Sequence, residues 1–388
     1  MGSFSPEYRG HLAGNGQMKR VLVSGAVLDQ GAGGVRRHNQ ELLPRLAKLL
    51  SEAGGELAIL APEHGLSFDA GTDARLIPTN IPSGSPALRF MYESKATLAE
   101  LRAAARRNQP FDVLHTAHLP MSRVHKAVEQ TVRRTHTIHD LRVLDPREST
   151  GLRRVLGMSL VKRALRKAER IFTVSESVRD QLIERGLITE NRCVVVPNAG
   201  DHLGIIKRCP NEQAPLLHVG HVEPRKNLEL LIHALALDPG LPRLQLAGAV
   251  KRDWDQKLIQ LAQQLNVSDR LELLGPVTET QLLELYSNAA CVVIPSRLEG
   301  FGIGVLEAQL ARIPLAISRA GALPEVAGRE TPNFDPNNAK QCVSAIQTAL
   351  VASDESLEQA EERARRFTWD ESAKLFYRAL LGDPPANN

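Results

Sequence analysis

The stretch that decides the reading is Glu299-Gly-Phe-Gly-Ile-Gly-Val-Leu-Glu307. It follows the apolar run Cys291-Val-Val-Ile-Pro295, which reads as a buried strand bounded by proline. It leads into Ala308-Gln-Leu-Ala-Arg312, which reads as helix. The unit is therefore a strand, a glycine-rich turn and a helix start. Gly300, Gly302 and Gly304 put no Cβ into the turn, so a ligand could lie close to its backbone. The unpaired N–H groups and positive dipole end of a helix start suit a phosphate. Glu299 is expected to project from the turn, and Glu307 from about two turns inside the helix. Carboxylates repel phosphate but accept well from sugar hydroxyls. A phosphate cradle flanked by hydroxyl acceptors is what a nucleotide-sugar needs. Two glutamates eight apart are ordinarily a loop charge and a solvated helix residue; the strand and glycines around this pair argue for a site.

Length and composition bound the alternatives. A chain of 388 residues, 43% hydrophobic, points to two domains with cores of their own. At 4% aromatic residues, stacking is not the expected way to hold a ligand. Cys193, Cys209, Cys291 and Cys342 lack metal-ligand spacing and fit a reduced, cytoplasmic protein better than a disulfide framework. No apolar run reaches the length of a membrane span, and no signal-peptide apolar segment opens the chain. Net charge is +4, but residues 100–180 hold 17 Lys/Arg against 9 Asp/Glu. That concentration suggests an anionic surface near the first half.

The block Pro295-Ser-Arg-Leu-Glu299-Gly-Phe-Gly-Ile-Gly-Val-Leu-Glu307-Ala resembles the Glu-x7-Glu motif of the retaining glycosyltransferases of family 4. The resemblance runs from about Lys19 to Leu381 and implies an α/β protein of GT-B architecture, with two facing Rossmann-like domains and a cleft between them. The expected partition is a disordered leader over 1–17, a first domain over 18–200 that takes the acceptor, and a second over 201–366 that takes the nucleotide-sugar. Residues 367–388 form a helix crossing back to the first domain, plus a tail.

Along the first half, Met18–Gly25 reads as a parallel-type strand, followed by the glycine-rich loop Gln30-Gly-Ala-Gly-Gly-Val35 and an amphipathic helix to about Ala53. The loop lacks the third glycine of a dinucleotide fingerprint. It resembles instead the family's Gly-Gly-Val loop, which implies that Gly33 and Gly34 lie against the donor phosphates. Strands are expected at 56–61, 112–115 and 135–140, and a basic amphipathic helix at Leu88–Asn108. His115-Thr-Ala-His118 closes a strand end. Thr135-His-Thr-Ile-His139 resembles the family's Thr-x-His strand end, whose histidine lies near the transferred sugar and the acceptor. A helix over Thr150–Ile171 carries Leu152, Val155, Leu156, Leu160, Ala164, Leu165 and Ala168 towards one side and six Lys/Arg towards the other. A core-packing helix with a solvated face is the primary reading, and docking to anionic lipid the secondary one. A strand from Ile171, a helix of about a dozen residues and a last strand over Cys193–Pro197 complete this half; Pro197-Asn-Ala-Gly-Asp201 resembles the family's inter-domain junction.

The second half opens with the strand Leu216–Gly220 and the turn His221-Val-Glu-Pro-Arg225-Lys226-Asn227. Arg225 and Lys226 would neutralise a diphosphate in the cleft that Glu299 faces. Lys226 matches the family lysine; His221 stands where the family often has arginine, so Arg225 is expected to supply that charge. Strands follow at 244–248 and 270–277, and the loop holding Val277 sits where the family grips the base through backbone atoms. A helix over 280–289, a strand over 313–318, the family block Gly321–Gly328, helices over 339–352 and 355–367, and the returning helix from Trp369 complete the chain. Arg312 departs from a family glycine at a helix end.

The resemblance implies sugar transfer from a nucleotide-sugar to an acceptor hydroxyl with retained configuration, GDP-mannose being the first donor candidate. His139, Arg225, Lys226 and Glu299 are the expected catalytic residues. Gly33, Gly34, Val277, Gly300, Phe301, Gly302, Ile303 and Glu307 join Arg225, Lys226 and Glu299 in binding the donor. No Asp-x-Asp stands in a suitable place, so no metal and no other cofactor is expected. The expected partners are the donor and a saccharide or lipid-linked acceptor in polysaccharide, lipopolysaccharide or glycolipid synthesis, at the inner face of the plasma membrane. Nucleic acid is not expected, since no aromatic-basic interleaving supports it. The competing readings are a nucleotide-sugar 2-epimerase of the same architecture, which needs no acceptor, and a non-catalytic nucleotide-sugar binder.

Overall fold

The computed structural model describes residues 19–24, 33–66, 68–82, 86–117, 132–142 and 151–382. Residues 1–18, 25–32, 67, 83–85, 118–131, 143–150 and 383–388 lie outside them, and with them the readings made for 1–17, for 30–32, for His118 and for the C-terminal residues.

The first half alternates strands and helices: β1 (Arg20–Ser24), α1 (Gly34–Glu52), β2 (Glu56–Ala61), β3 (Ala74–Pro78), α2 (Pro86–Arg106), β4 (Val113–Thr116), β5 (Arg133–Ile138), α3 (Gly151–Lys167), β6 (Arg170–Thr173), α4 (Glu176–Glu184) and β7 (Cys193–Val195). Among the described residues its seven strands are parallel, in the order β3-β2-β1-β4-β5-β6-β7. Every residue of β1 is buried, as the apolar run of a strand covered on both faces requires. The second half continues with β8 (Leu216–Val219), α5 (Glu229–Leu237), β9 (Leu244–Ala247), α6 (Trp254–Gln264), β10 (Leu271–Gly275), α7 (Glu279–Asn288), β11 (Cys291–Ile294), α8 (Ile303–Leu310), β12 (Leu315–Ser318), α9 (Leu323–Ala327), β13 (Asn333–Phe334), α10 (Ala339–Leu350), α11 (Asp354–Ala364) and α12 (Trp369–Leu381). Its six strands are also parallel, in the order β10-β9-β8-β11-β12-β13.

Each sheet reverses strand order once, between β1 and β4 and between β8 and β11. Loops leaving the carboxyl ends of strands at such points open a crevice for ligands. Most of the expected site residues lie at carboxyl ends of strands at or near these points. Gly33 caps α1 and Gly34 opens it, His139 follows β5, Arg225 and Lys226 follow β8, and Glu299 follows β11.

Some elements differ from expectation. β3 and α6 are not among the expected elements: β3 is a half-exposed edge strand, whereas α6 and its C-cap place Trp254, Leu258, Leu261, Ala262 and Leu265 at helical spacing against the core of the second half. The helix read as reaching Ile171 stops at Lys167, because Arg170–Thr173 pairs with β5. Val155, expected on the apolar side of that helix, is 65% exposed, while Val161, Ala164 and Leu165 are buried. Arg312 sits in left-handed backbone at φ 53°, the conformation a glycine takes most easily there, and Glu358 and Glu361 hold its side chain.

Two kinds of contact join the halves. At the sheet tips, Ser175 Oγ donates to Gly300 O at 2.7 Å, and the Glu325 carboxylate accepts from the N–H groups of Glu176 and Ser177, both at 2.9 Å. These N–H groups are unpaired donors at the start of α4, where a carboxylate is also favoured by the helix dipole. Elsewhere, α12 leaves the second half and packs along α1. Its Phe376 meets Phe172 and His115 edge-on, with centroids 4.6 and 5.0 Å apart. Arg45 Nε on α1 pairs with Asp370 at 2.7 Å. The last helix thus completes the first core. Replacing Phe376 with Ala should cost about 3–5 kcal/mol in urea unfolding of the first half; a loss under about 1 kcal/mol would show that α12 is not part of that core.

Candidate active site at the facing sheet tips

The positive groups arise from one short turn. After β8 the chain makes a single 3-10 turn, Pro224–Lys226, and Asn227 ends it in left-handed backbone at φ 58°. Asn227 is buried, and its amide donates to Pro295 O at 2.9 Å and Pro336 O at 2.7 Å. Arg297 N donates to Arg225 O at 2.7 Å. The turn is thereby fixed against the residues that follow β11.

That attachment brings Glu299 between the two cations. Lys226 Nζ lies 2.5 Å from Glu299 Oε1, and Arg225 Nη1 lies 3.2 Å from Oε2. Ser296 Oγ adds a 2.8 Å bond to Oε1. Arg225 also pairs with Glu223 at 2.7 Å, and Lys251 reaches the other oxygen of Glu223. Burial pushes the Glu299 carboxyl up, but Lys226, Arg225 and the hydrogen bonds from Lys226 and Ser296 outweigh it and hold the group at about 2.

The second acid has different neighbours. α8 begins at Ile303, after Gly302 in left-handed backbone at φ 96°. Glu307 is therefore one turn into the helix rather than two. It is buried, Tyr286 Oη donates to its Oε2 at 2.5 Å, and His202 Nε2 lies 3.1 Å from Oε1.

The first half supplies His139, Gly33 and Gly34. His139 Nε2 lies 3.1 Å from Ala117 O, and its ring meets His38 edge-on at 4.7 Å. His38 is paired through Nδ1 with Asn198 at 2.7 Å; burial lowers it to about 4 despite that bond, so it is neutral at pH 7. A Cβ on Gly33 would lie 3.3 Å from the His221 ring, and one on Gly34 would lie 3.8 Å from Ile303 Cδ1. Both glycines therefore face the second half.

The glycines of the deciding stretch serve a different purpose from the one expected. A Cβ on Gly300 would overlap the carbonyl oxygen of His139. The space is taken by the opposing half's backbone, so Gly300 permits the two halves to meet. Gly302 supplies the left-handed residue before α8. The Phe301 ring is buried and meets Phe367 edge-on at 6.2 Å, which leaves only its backbone for a ligand.

Arg225, Lys226, Glu299, Gly300, Gly302, Ile303, His139, Gly33 and Gly34 thus converge at the facing tips. Val277 stands apart. It follows β10, three strand steps from β11, and lines a groove of about 470 Å³ with Leu274, Pro276 and Asn288. Three steps amount to roughly 14 Å. The neighbours that the sequence reading did not single out are His38, Asn198, His202, Tyr286 and Ser296. Ser296 lies within the deciding stretch's lead-in; the others come from remote segments.

Comparison with known proteins fits this arrangement. The family described as "Glycosyltransferase Family 4" matches residues 32–202, and "Glycosyl transferases group 1" matches residues 206–367. The chain belongs to the GT-B glycosyltransferases. Sucrose-phosphate synthase from Thermosynechococcus elongatus shares the fold at a TM-score of 0.73 and 20% identity, over 92% of this chain and 96% of that one. The O-antigen chain mannosyltransferase B of Escherichia coli is 31% identical over 60% of this chain and 66% of its own. The serotype-specific mannosyltransferase WbdA of Escherichia coli is 29% identical over 54% of this chain and 28% of its own. The chain therefore spans from about a quarter to two thirds of the length of these curated relatives.

The Glu299 environment predicts an acid dependence. Its folded value lies below the ordinary 4.5, so the ionised form stabilises the native state. That contribution is complete above about pH 4.5 and is lost as pH falls towards about 2. Across this window, the stability gap between wild type and Glu299→Gln should shrink on acidification. A gap that stays constant from pH 6 to pH 3 would contradict the ion-pair assignment.

Proposed function

We propose that this glycosyltransferase moves a sugar from a nucleotide-sugar to an acceptor hydroxyl with retained configuration. The observation that carries the reading is the carboxylate of Glu299 held between Lys226 and Arg225, beside the start of α8 and opposite His139.

Charge is the difficulty in this reaction. The bond from the anomeric carbon to the diphosphate oxygen breaks as the bond to the acceptor oxygen forms on the same face. The acceptor's proton passes to the departing phosphate oxygen. Negative charge grows on that phosphate and positive charge on the sugar ring. Lys226, Arg225 and the unpaired N–H groups at the starts of α1 and α8 would stabilise the phosphate. These cations supply the charge a metal would otherwise bring, so the reaction is proposed to be metal-independent. A bound diphosphate would share Lys226 and Arg225 with Glu299, freeing carboxylate lone pairs for the sugar hydroxyls. Glu307 would meet the ribose hydroxyls, and the base would extend towards Val277, about the reach of a nucleoside away. His139 would face the sugar and the acceptor.

GDP-mannose is the proposed first donor; the mannosyltransferase relatives support it. The acceptor is proposed to be a saccharide or a lipid-linked saccharide in surface-polysaccharide synthesis, used at the cytoplasmic face of the membrane. No helix among the described residues is long and apolar enough to cross a membrane.

The test couples binding to turnover. Thermal-shift screening against GDP-mannose, UDP-glucose and related nucleotide-sugars should single out the donor. With it, Glu299→Ala and Lys226→Ala should each lower transfer by about 10²-fold or more while the melting temperature shows a folded protein. Wild-type transfer in both variants, or sugar conversion without any acceptor, would remove the assignment.

A further inference from the structure

The environment of Glu307 carries a further assignment, which rests on the donor site proposed above. His202 lies on the 3-10 turn Asp201–Leu203, in the segment joining the two sheets. Its side chain is 1% exposed. On one side, Nε2 lies 3.1 Å from Glu307 Oε1, close in distance but off the hydrogen-bond line, with no other partner among the described residues. On the other side, Trp369 Nε1 donates to His202 Nδ1 at 3.5 Å.

The indole nitrogen can only donate. Nδ1 must then accept, which assigns the imidazole proton to Nε2, the nitrogen nearest Glu307. Trp369 is itself fixed. Its backbone N–H donates to Asp201 Oδ1 at 3.2 Å, its ring is fully buried, and it meets His38 edge-on at 6.2 Å. It also opens α12, whose remaining turns pack on α1. A line of contacts therefore runs from the last helix through Trp369 and His202 to Glu307, and Tyr286 holds the carboxylate's other oxygen.

We propose that His202, with its tautomer set by Trp369, is a positioning residue that orients Glu307 to accept the ribose hydroxyl pair of the donor nucleotide. The geometry suits two acceptances. Tyr286 takes one lone pair of Oε2 and His202 Nε2 stands 3.1 Å from Oε1, which leaves each oxygen a lone pair for a hydroxyl. Gly304, one turn before Glu307 on α8, presents no side chain there; a Cβ at that place would sit 3.7 Å from both Glu307 Oε2 and Tyr286 Oη. Burial pushes the Glu307 carboxyl up, but His202, Tyr286 and, from α1, Arg37 bring it below its ordinary value and keep it an acceptor. Apolar packing alone would not require this arrangement, since the neighbours Val305, Leu306 and Ala308 already fill the core side of α8.

Two polar replacements separate positioning from packing. The amide nitrogen of Gln reaches the place of Nε2, whereas that of Asn reaches only the place of Nδ1. Calorimetric affinities are measured for GDP and UDP and for their 2′-deoxy forms, using the wild type, His202→Gln, His202→Asn and Trp369→Phe, with melting temperatures recorded for each. Wild type should prefer the ribose form of the nucleotide it binds by roughly tenfold. His202→Gln should keep that preference, His202→Asn should lose it, and Trp369→Phe should weaken it. In turnover the losses should appear in KM more than in kcat. A folded His202→Asn protein that keeps the wild-type preference would overturn the role of His202 while leaving the donor site intact. A wild type that binds neither GDP nor UDP would overturn the donor site and this inference together. A wild type that binds one of them without preferring its ribose form would overturn the role given to Glu307.

Discussion

A buried carboxylate between two cations is the constraint from which the site follows. Glu299 can be ionised in the interior only because Lys226 and Arg225 stand within 2.5 and 3.2 Å. Those cations can stand there only because Asn227 turns the chain after β8 and bonds to the carbonyls of Pro295 and Pro336. The loops of β8 and β11 are thus locked at the point where the second sheet reverses strand order. The proposed anionic donor would meet a preformed set of cations there, so little reorganisation would remain for the reaction.

The first sheet is brought to this point by close backbone contact. Gly300 lies against the carbonyl of His139, and Ser175 and Glu325 bond across the same gap. Beside this gap, α12 joins the second half to α1. The His38–His139 pair and the Trp369–His202–Glu307 line both pass through this region. Residues of one half therefore shape the facing surface of the other, where the donor is proposed to bind.

Much of this was legible in the sequence, and the limits have physical reasons. The stretch 299–307 declared itself because a proline-ended apolar strand, a glycine turn and a helix start occur together there. Arg225 and Lys226 declared themselves in the same way after β8. The purpose of Gly300 was misread, since sequence shows that a Cβ is missing but not which backbone occupies its place. His202 and Tyr286 left no local signal; each becomes a neighbour of Glu307 only through long-range folding. β3 escaped because a half-exposed edge strand carries no buried period; α6 was legible, since Trp254, Leu258, Leu261, Ala262 and Leu265 recur at helical spacing, and was passed over. Phe301 looked like a ligand contact in the motif, and its ring proved to be core.

The most direct measurement is a crystal structure with an intact nucleotide-sugar bound. The diphosphate should lie between Lys226, Arg225 and the start of α8, with the sugar against Glu299 and the ribose against Glu307. A donor lodged elsewhere, for instance wholly within the groove beside Val277 with its phosphates away from Lys226, would contradict the account.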